Sequence, residues 1–473
     1  MNQSLENGRM SSHKKTSYGK ILAPIVIGAF FCFLCICFGV GEYPDSVTYI
    51  EGSMDRELLY PLLLKVFRTV FGSGYLWAVI ITQNLFAFLV TWYLYHSVCK
   101  RFRLNLLFQW AMIVVLLVPH ILSRLLTPSG IILTDAILSE GITLTLYQLF
   151  FVLILNMCLE EKKICYAVCS LFVAFVTTLA RGQMMPMLLL WMLFTVIVLC
   201  RNISGVWKKC AGVMLVILVT LSAFGARSLL IGQYNETMYG VRSGNTGGNM
   251  TILTNVIYSA SEEDIRKAAV SLPEEDGALL SKIYAQVQEQ KLTSADAETG
   301  LLSRIRHHED CHDRIKFEIL YPELEASVRM REPELTAERI RVCMDEQAGQ
   351  YMMSLLKENI GRFLMTYLYV ICGGFIRTVA VLHPAFAVYA LLIYIVAIVL
   401  MWYLFKRSRH ADASVMMALV LVMIAANVCA TGLTIMCLSR YMIYNTAIFY
   451  VAGIVLLQEA WKKRSESLKR SSL

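Results

Sequence analysis

The sequence predicts an all-α polytopic membrane protein with about ten transmembrane helices, and three observations lead there. The 473 residues are 57% hydrophobic and only 16% charged, with a mean hydropathy of +0.57, an apolar load that a water-soluble domain could not bury. Apolar stretches near the 20 or so residues needed to cross a bilayer recur along the chain. Basic residues gather in short clusters at every second connection between them.

The expected spans are 21–40, 75–97, 104–122, 136–157, 164–180, 183–200, 210–231, 384–405, 413–434 and 441–460. Lys14, Lys15 and Lys20 precede the first, which is long enough to span and closes on no small-residue cleavage site, so it is expected as an anchor rather than a signal peptide. Lys100, Arg101 and Arg103 follow the second span, and Lys162 and Lys163 the fourth. Arg201, Lys208 and Lys209 follow the sixth, Lys406, Arg407 and Arg409 the eighth, and Lys462, Lys463 and Arg464 the tenth. This alternation places both termini in the cytoplasm of a cell with its chain in the plasma membrane.

The stretch FLMTYLYVICGGFIRTVAV, 363–381, is apolar enough for a further span. Counting it would move the Lys406 cluster outside, so it is read as an interfacial or re-entrant element of the outer face, helped by Gly373, Gly374 and Arg377. The expected organisation is then a cytoplasmic tail, 1–20, and a seven-helix module, 21–231, whose first external loop is 41–74. A large extracytoplasmic, mostly helical region, 232–383, lies between helices 7 and 8, followed by a three-helix module, 384–460, and a basic tail, 461–473. Stretches such as ELTAERIRVCMDEQAGQYMMSLLKENI repeat apolar residues at helical spacing.

Composition also excludes function classes. The net charge of +8 is accounted for by orientation, and no nucleic-acid partner is expected. Most of the fourteen cysteines sit in or beside apolar runs as small hydrophobes; only Cys311 and Cys343 lie in a long polar segment, which leaves one bridge open. GNTGGNM, 244–250, lacks the lysine and context of a phosphate loop. His308 and His312, spaced i, i+4 within HHEDCHD, invite a metal reading, but the surrounding SRIRHHEDCHDRIKFEI reads as a charged helix face, and no metal is expected.

The residues suited to chemistry lie at the outer ends of the spans. In PDSVTYIEGSMDRELLYPLLL, 44–64, Asp45 follows a rigid proline just beyond the first span, where a carboxylate can serve as a general base. Arg56, eleven residues on, can hold a phosphate through two parallel hydrogen bonds. Glu51, Asp55 and Glu57 read as solvated loop charges. Arg124, Asp135 and Glu140 surround the outer end of the fourth span, with Glu140 about one turn inside it. A carboxylate at that depth faces a cavity or partner, or else serves the helix dipole beside an Asp135 or Thr134 cap. Arg181 and Arg440 occupy tight outer turns and Arg227 a helix end; arginines there either snorkel to lipid phosphate or bind a ligand phosphate.

The order of these elements resembles the bacterial integral-membrane glycosyltransferases of the GT-C superfamily. The resemblance rests on the first-loop pattern of Pro44, Asp45, Ser46, Tyr49, Arg56, Tyr60 and Pro61, on DAILSEGI, ARGQMMP and SRY at later outer turns, and on the large external segment. It implies an inverting transfer of sugar from a polyprenyl-phosphate donor to a glycan, lipid or protein acceptor. Asp45 would be the base, Tyr49, Arg124, Asp135 and Glu140 would help line the substrate site, and Arg56, Arg181 and Arg440 would hold the phosphate. The sequence departs from the family's paired first-loop acids, since Ser46 follows Asp45; Asp55 becomes the reserve base, and no metal or other cofactor is implied. A lipid or polysaccharide transporter or flippase would place ionisable groups near mid-membrane in paired broken helices. A non-catalytic envelope-assembly protein, docking partners on its external region, is the third reading.

Overall fold

The computed structural model describes residues 22–126, 130–161, 163–380, 383–406 and 411–471, with side chains placed for all of these except 126, 384 and 464–471. Lys14, Lys15, Lys20, Lys162, Arg407 and Arg409 lie outside the described residues, as does residue 381. The regular secondary structure of the described residues is helical apart from one isolated bridge, and ten of the helices are long and apolar enough to cross a membrane. The protein is an all-α integral membrane protein.

The bundle starts with α1 (Leu22–Phe38), which ends where Gly39 takes a positive φ of 61°. A short α2 (Ser46–Ile50) and an amphipathic α3 (Leu59–Phe71) fill the first loop, and α4 (Tyr75–Phe102) follows. Next come α5 (Leu106–Leu126), α6 (Ser139–Leu159), α7 (Lys163–Ala180), α8 (Pro186–Asn202) and α9 (Val206–Tyr239). Helix α6 lies deep in the bundle: 78% of its apolar stretch is buried, against 17% for α9. A helix buried on all sides has no solvent face to present, and α6 packs against α4, α7, α8 and, later in the chain, α17 (Ala411–Thr434) and α18 (Ser439–Ser471).

Helices α10 (Gly248–Ser259), α11 (Glu262–Val270), α12 (Glu274–Glu289), α13 (Leu301–Arg314) and α14 (Tyr321–Arg331) build a second core outside the bundle. Ser261 and Asp264 form a capping box that starts α11. Buried Asp276 is satisfied by Arg331, Gln347 and Tyr351, each within 2.9 Å. A π-helical turn, Ile315–Leu320, joins α13 to α14.

The two cores share α15 (Ala337–Val379), 43 residues or roughly 65 Å at 1.5 Å per residue. Its first half belongs to the outer core and its second half to the bundle, with non-helical backbone at Asn359 between them. The 363–379 stretch is therefore the continuation of a helix, and it replaces α1, 17 residues long as described, among the ten spanning-length helices. Its glycines do not break it. A Cβ at Gly374 would lie 2.7 Å from Val428 Cγ1, so the missing side chain lets α17 approach closely, as small residues do between membrane helices. This half makes polar contacts with the chain around Cys429, Cys437, Thr446 and Tyr450, and it also reaches α13, where Arg377 pairs with Glu309 at 2.6 Å.

Helices α16 (Pro384–Phe405), α17 (Ala411–Thr434) and α18 (Ser439–Ser471) complete the bundle. At the end remote from the first loop, Arg101 joins Asp412 at 2.7 Å and Glu160 at 3.6 Å, tying α4 to α17 and to the end of α6.

Candidate functional site

The first loop is held to the segment before α6 by a parallel bridge. Gly41 N–H donates to the Asp135 carbonyl at 2.8 Å, and Ile137 N–H donates to the Gly41 carbonyl at 2.9 Å. This fixes the start of the loop against the start of α6. Asp45 then occupies the N-cap of α2 without spending its carboxylate on the helix.

That carboxylate faces two arginines. Arg56 donates from one terminal nitrogen to Asp45 Oδ1 at 2.8 Å and from Nε to Thr48 Oγ1 at 2.7 Å, while its guanidinium lies 4.6 Å from the centre of the Tyr49 ring. Arg440, in the first turn of α18, approaches Asp45 Oδ2 at 3.5 Å. Burial works to raise the Asp45 carboxyl, but Arg56, followed by Arg440 and Arg181, more than offsets it and holds the group below the usual carboxylate range.

A second pair lies alongside. Arg181, in extended backbone between α7 and the 3-10 turn at Gly182–Met184, meets Glu140 Oε1 at 2.9 Å in the first turn of α6. Glu140 is buried and Arg181 nearly so, at 4% and 15% side-chain exposure, and Glu140 Oε2 has no partner among the described residues. The Tyr441 ring links the two halves, because the guanidinium groups of Arg181 and Arg440 each lie 4.8 Å from its centre. Tyr49 closes the arrangement by hydrogen bonding Ser139 at 2.9 Å, next to Glu140. Six of the nine residues singled out from sequence, Asp45, Tyr49, Arg56, Glu140, Arg181 and Arg440, thus form one linked cluster.

The other three lie elsewhere. Asp55 turns toward the outer core, accepting from Thr246 at 2.5 Å and pairing with Arg341 at 3.8 Å. Asp135 is buried behind the bridge, where Asn84 donates to it at 2.7 Å, and burial raises its carboxyl to about 6 with Asn84 opposing. Arg124 is exposed at the end of α5, over the Phe38 ring.

Sequence reasoning missed Ser139 and Tyr441, although each sits inside a quoted motif, DAILSEGI and SRYMIY. Glu57, read as a solvated charge, is 15% exposed and pairs with Arg227 at 2.6 Å; burial, against the pull of Arg227, raises it to about 7. Their separation of 170 residues hides the pair from any local pattern. Lys316, on the π-helical turn, donates to Thr251 at 2.8 Å; burial lowers its ammonium, opposed by the charge of Asp55.

Chemically the cluster sets three guanidiniums against two carboxylates at one end of the bundle, an excess of positive charge with a carboxylate accessible at its edge. Cys311 and Cys343 are both free thiols, and among the described residues no three His, Cys, Asp or Glu side chains converge to hold a metal. Comparison of the chain with protein-family profiles, curated proteins and solved structures found no match in any of the three.

Proposed function

We propose that this protein is an inverting membrane glycosyltransferase, moving a sugar from a polyprenyl-phosphate donor to a glycan, lipid or protein acceptor at the outer face of the plasma membrane. One observation carries the reading: Asp45 bridges Arg56 and Arg440 beside the Arg181–Glu140 pair. An acceptor hydroxyl attacks the anomeric carbon from the side opposite the phosphate. The bond from that carbon to the phosphate oxygen breaks, its electron pair leaves on the phosphate, and the hydroxyl proton passes to Asp45. The departing phosphate gains charge as the sugar becomes oxocarbenium-like, so fixed guanidiniums stabilise the transition state more than the ground state.

The same contacts give an order of events. With no donor, Arg56 and Arg440 hold Asp45 ionised and weakly basic. A donor phosphate competes for those guanidiniums, and the released carboxylate becomes the stronger base only when substrate is in place. The outer-face assignment rests on the basic clusters around Arg101 and Lys209, at connections remote from the site.

Asp45→Asn in the purified protein should lower transfer from a radiolabelled polyprenyl-phosphate sugar by at least about a hundredfold, the scale of a general base, with expression intact. Undiminished transfer removes Asp45 as the base. Single cysteines at 45 and 310 should label from outside the cell; labelling from the cytoplasmic side overturns the topology.

A further inference from the structure

A cavity of about 270 Å³ lies away from the arginine cluster, between α10, α13 and α15. It sits just past the Asn359 kink, where the outer core meets the bundle half of α15. Its walls combine cationic, aromatic and apolar groups: Arg304, Arg362, Tyr258 and Tyr369 on one hand, Met365 and Val370 on the other.

Arg304 is the free charge of the cavity. It donates to the Tyr369 hydroxyl at 2.7 Å and lies 5.0 Å from that ring's centre, and it pairs with no carboxylate among the described residues. Arg362, by contrast, is already paired with Asp264. A guanidinium that a tyrosine positions but no carboxylate neutralises is suited to an anion.

The second independent feature is His308, which the sequence presents as a metal-ligand candidate. It is 2% exposed and lines the cavity. Its Nε2 donates to the side-chain amide oxygen of Asn255 at 2.9 Å, Nδ1 is enclosed and has no partner among the described residues, and burial keeps the ring neutral, so it walls the cavity without adding a charge. Met365, on the wall, is 51% exposed, and the neighbouring Leu364 and Leu368 are similarly exposed, so the mouth adjoins an apolar strip.

We infer that this cavity binds a phosphate headgroup, with Arg304 taking the phosphate and Tyr258, Tyr369 and His308 walling the space around it. The volume is just below the roughly 300 Å³ at which small-molecule sites begin, which fits a headgroup and leaves any acyl chains along the α15 strip. The inference does not depend on the transferase reading.

Gly361 offers a clean test, because a Cβ there meets no atom within 4 Å. Gly361→Leu therefore fills the cavity without removing a polar contact, and it replaces a poor helix former by a good one. Calorimetric titration of the full-length protein in detergent would use two probes, dihexanoyl phosphatidylglycerol and glycerol 3-phosphate. Saturable binding that weakens at least tenfold in Gly361→Leu and in Arg304→Gln, and recovers in part in Arg304→Lys, is expected. Tighter binding of the phosphatidylglycerol assigns the headgroup to a lipid; equal binding of glycerol 3-phosphate assigns it to a soluble phosphate. Absence of binding for both probes, or binding that Gly361→Leu leaves unchanged, overturns the inference.

Discussion

Replacing Glu140 and Arg181 singly and together separates holding the fold from holding a substrate. Glu140→Gln strands a guanidinium that is only 15% exposed, although Gln183 at 2.7 Å and the Tyr441 ring still support it. Arg181→Gln strands a carboxylate that is 4% exposed and already has one unpartnered oxygen. Breaking a buried pair costs about 3 to 5 kcal/mol, because the remaining charge stays desolvated. Glu140→Gln belongs at the lower end of that range and Arg181→Gln at the upper. The double variant buries two neutral amides in place of two charges, which removes the stranded charge that makes each single replacement costly. It should therefore be more stable than Arg181→Gln alone, a reversal that thermal unfolding in detergent reads directly. A double variant whose cost equals the sum of the two singles refutes the buried-pair reasoning. Sugar transfer adds a second readout, since the double variant should regain stability and stay inactive; wild-type transfer by it removes Arg181 as a phosphate ligand.

Three further outcomes are expected. Glu57 binds its proton more tightly folded, at about 7, than unfolded, at 4.5, so its contribution to stability is fully present below the unfolded value and is lost as pH rises to 7. The slope is about 1.4 kcal/mol per pH unit; the stability of wild type minus that of Glu57→Gln should fall between pH 4.5 and 7 and level off above, and parallel curves refute it. Gly141→Ala places a Cβ 2.3 Å from the Leu133 carbonyl oxygen, forcing a backbone shift worth about 1 to 3 kcal/mol, visible as a lower unfolding temperature. Asp55→Asn, whose carboxylate engages Thr246 and Arg341 rather than the arginine cluster, should keep transfer within about tenfold of wild type while Asp45→Asn loses it by the larger factor of a general base; equal losses make Asp55 a base.

The helices were legible in the sequence because each apolar run has a chemical boundary: Gly39 after α1, Pro186 at the start of α8, Gly205 before α9. Helix α15 was not legible as one element. Its composition changes from charged to apolar near residue 363, which imitates a boundary, while the backbone continues and bends earlier, at Asn359. The cluster was half legible. Asp45 and Arg56 stand eleven residues apart in a loop with no periodicity, and their motif marked them. Glu57 and Arg227, or His308 with its Asn255 partner, meet only through tertiary packing, and their local sequence reads as ordinary surface charge.

The central position of α6 also has a consequence in time. The Tyr147 hydroxyl donates to Asn445 Oδ1 at 2.6 Å, and the two residues are 298 positions apart in the chain. At roughly 5 to 20 residues per second of synthesis, Asn445 follows Tyr147 by about 15 to 60 s. Helix α6, with Thr143, Thr145, Gln148 and Asn156 along it, thus waits in the membrane through that interval before α17 and α18 exist to surround it. Until then the nascent protein must keep those polar side chains sheltered by α4, α7 and α8 alone.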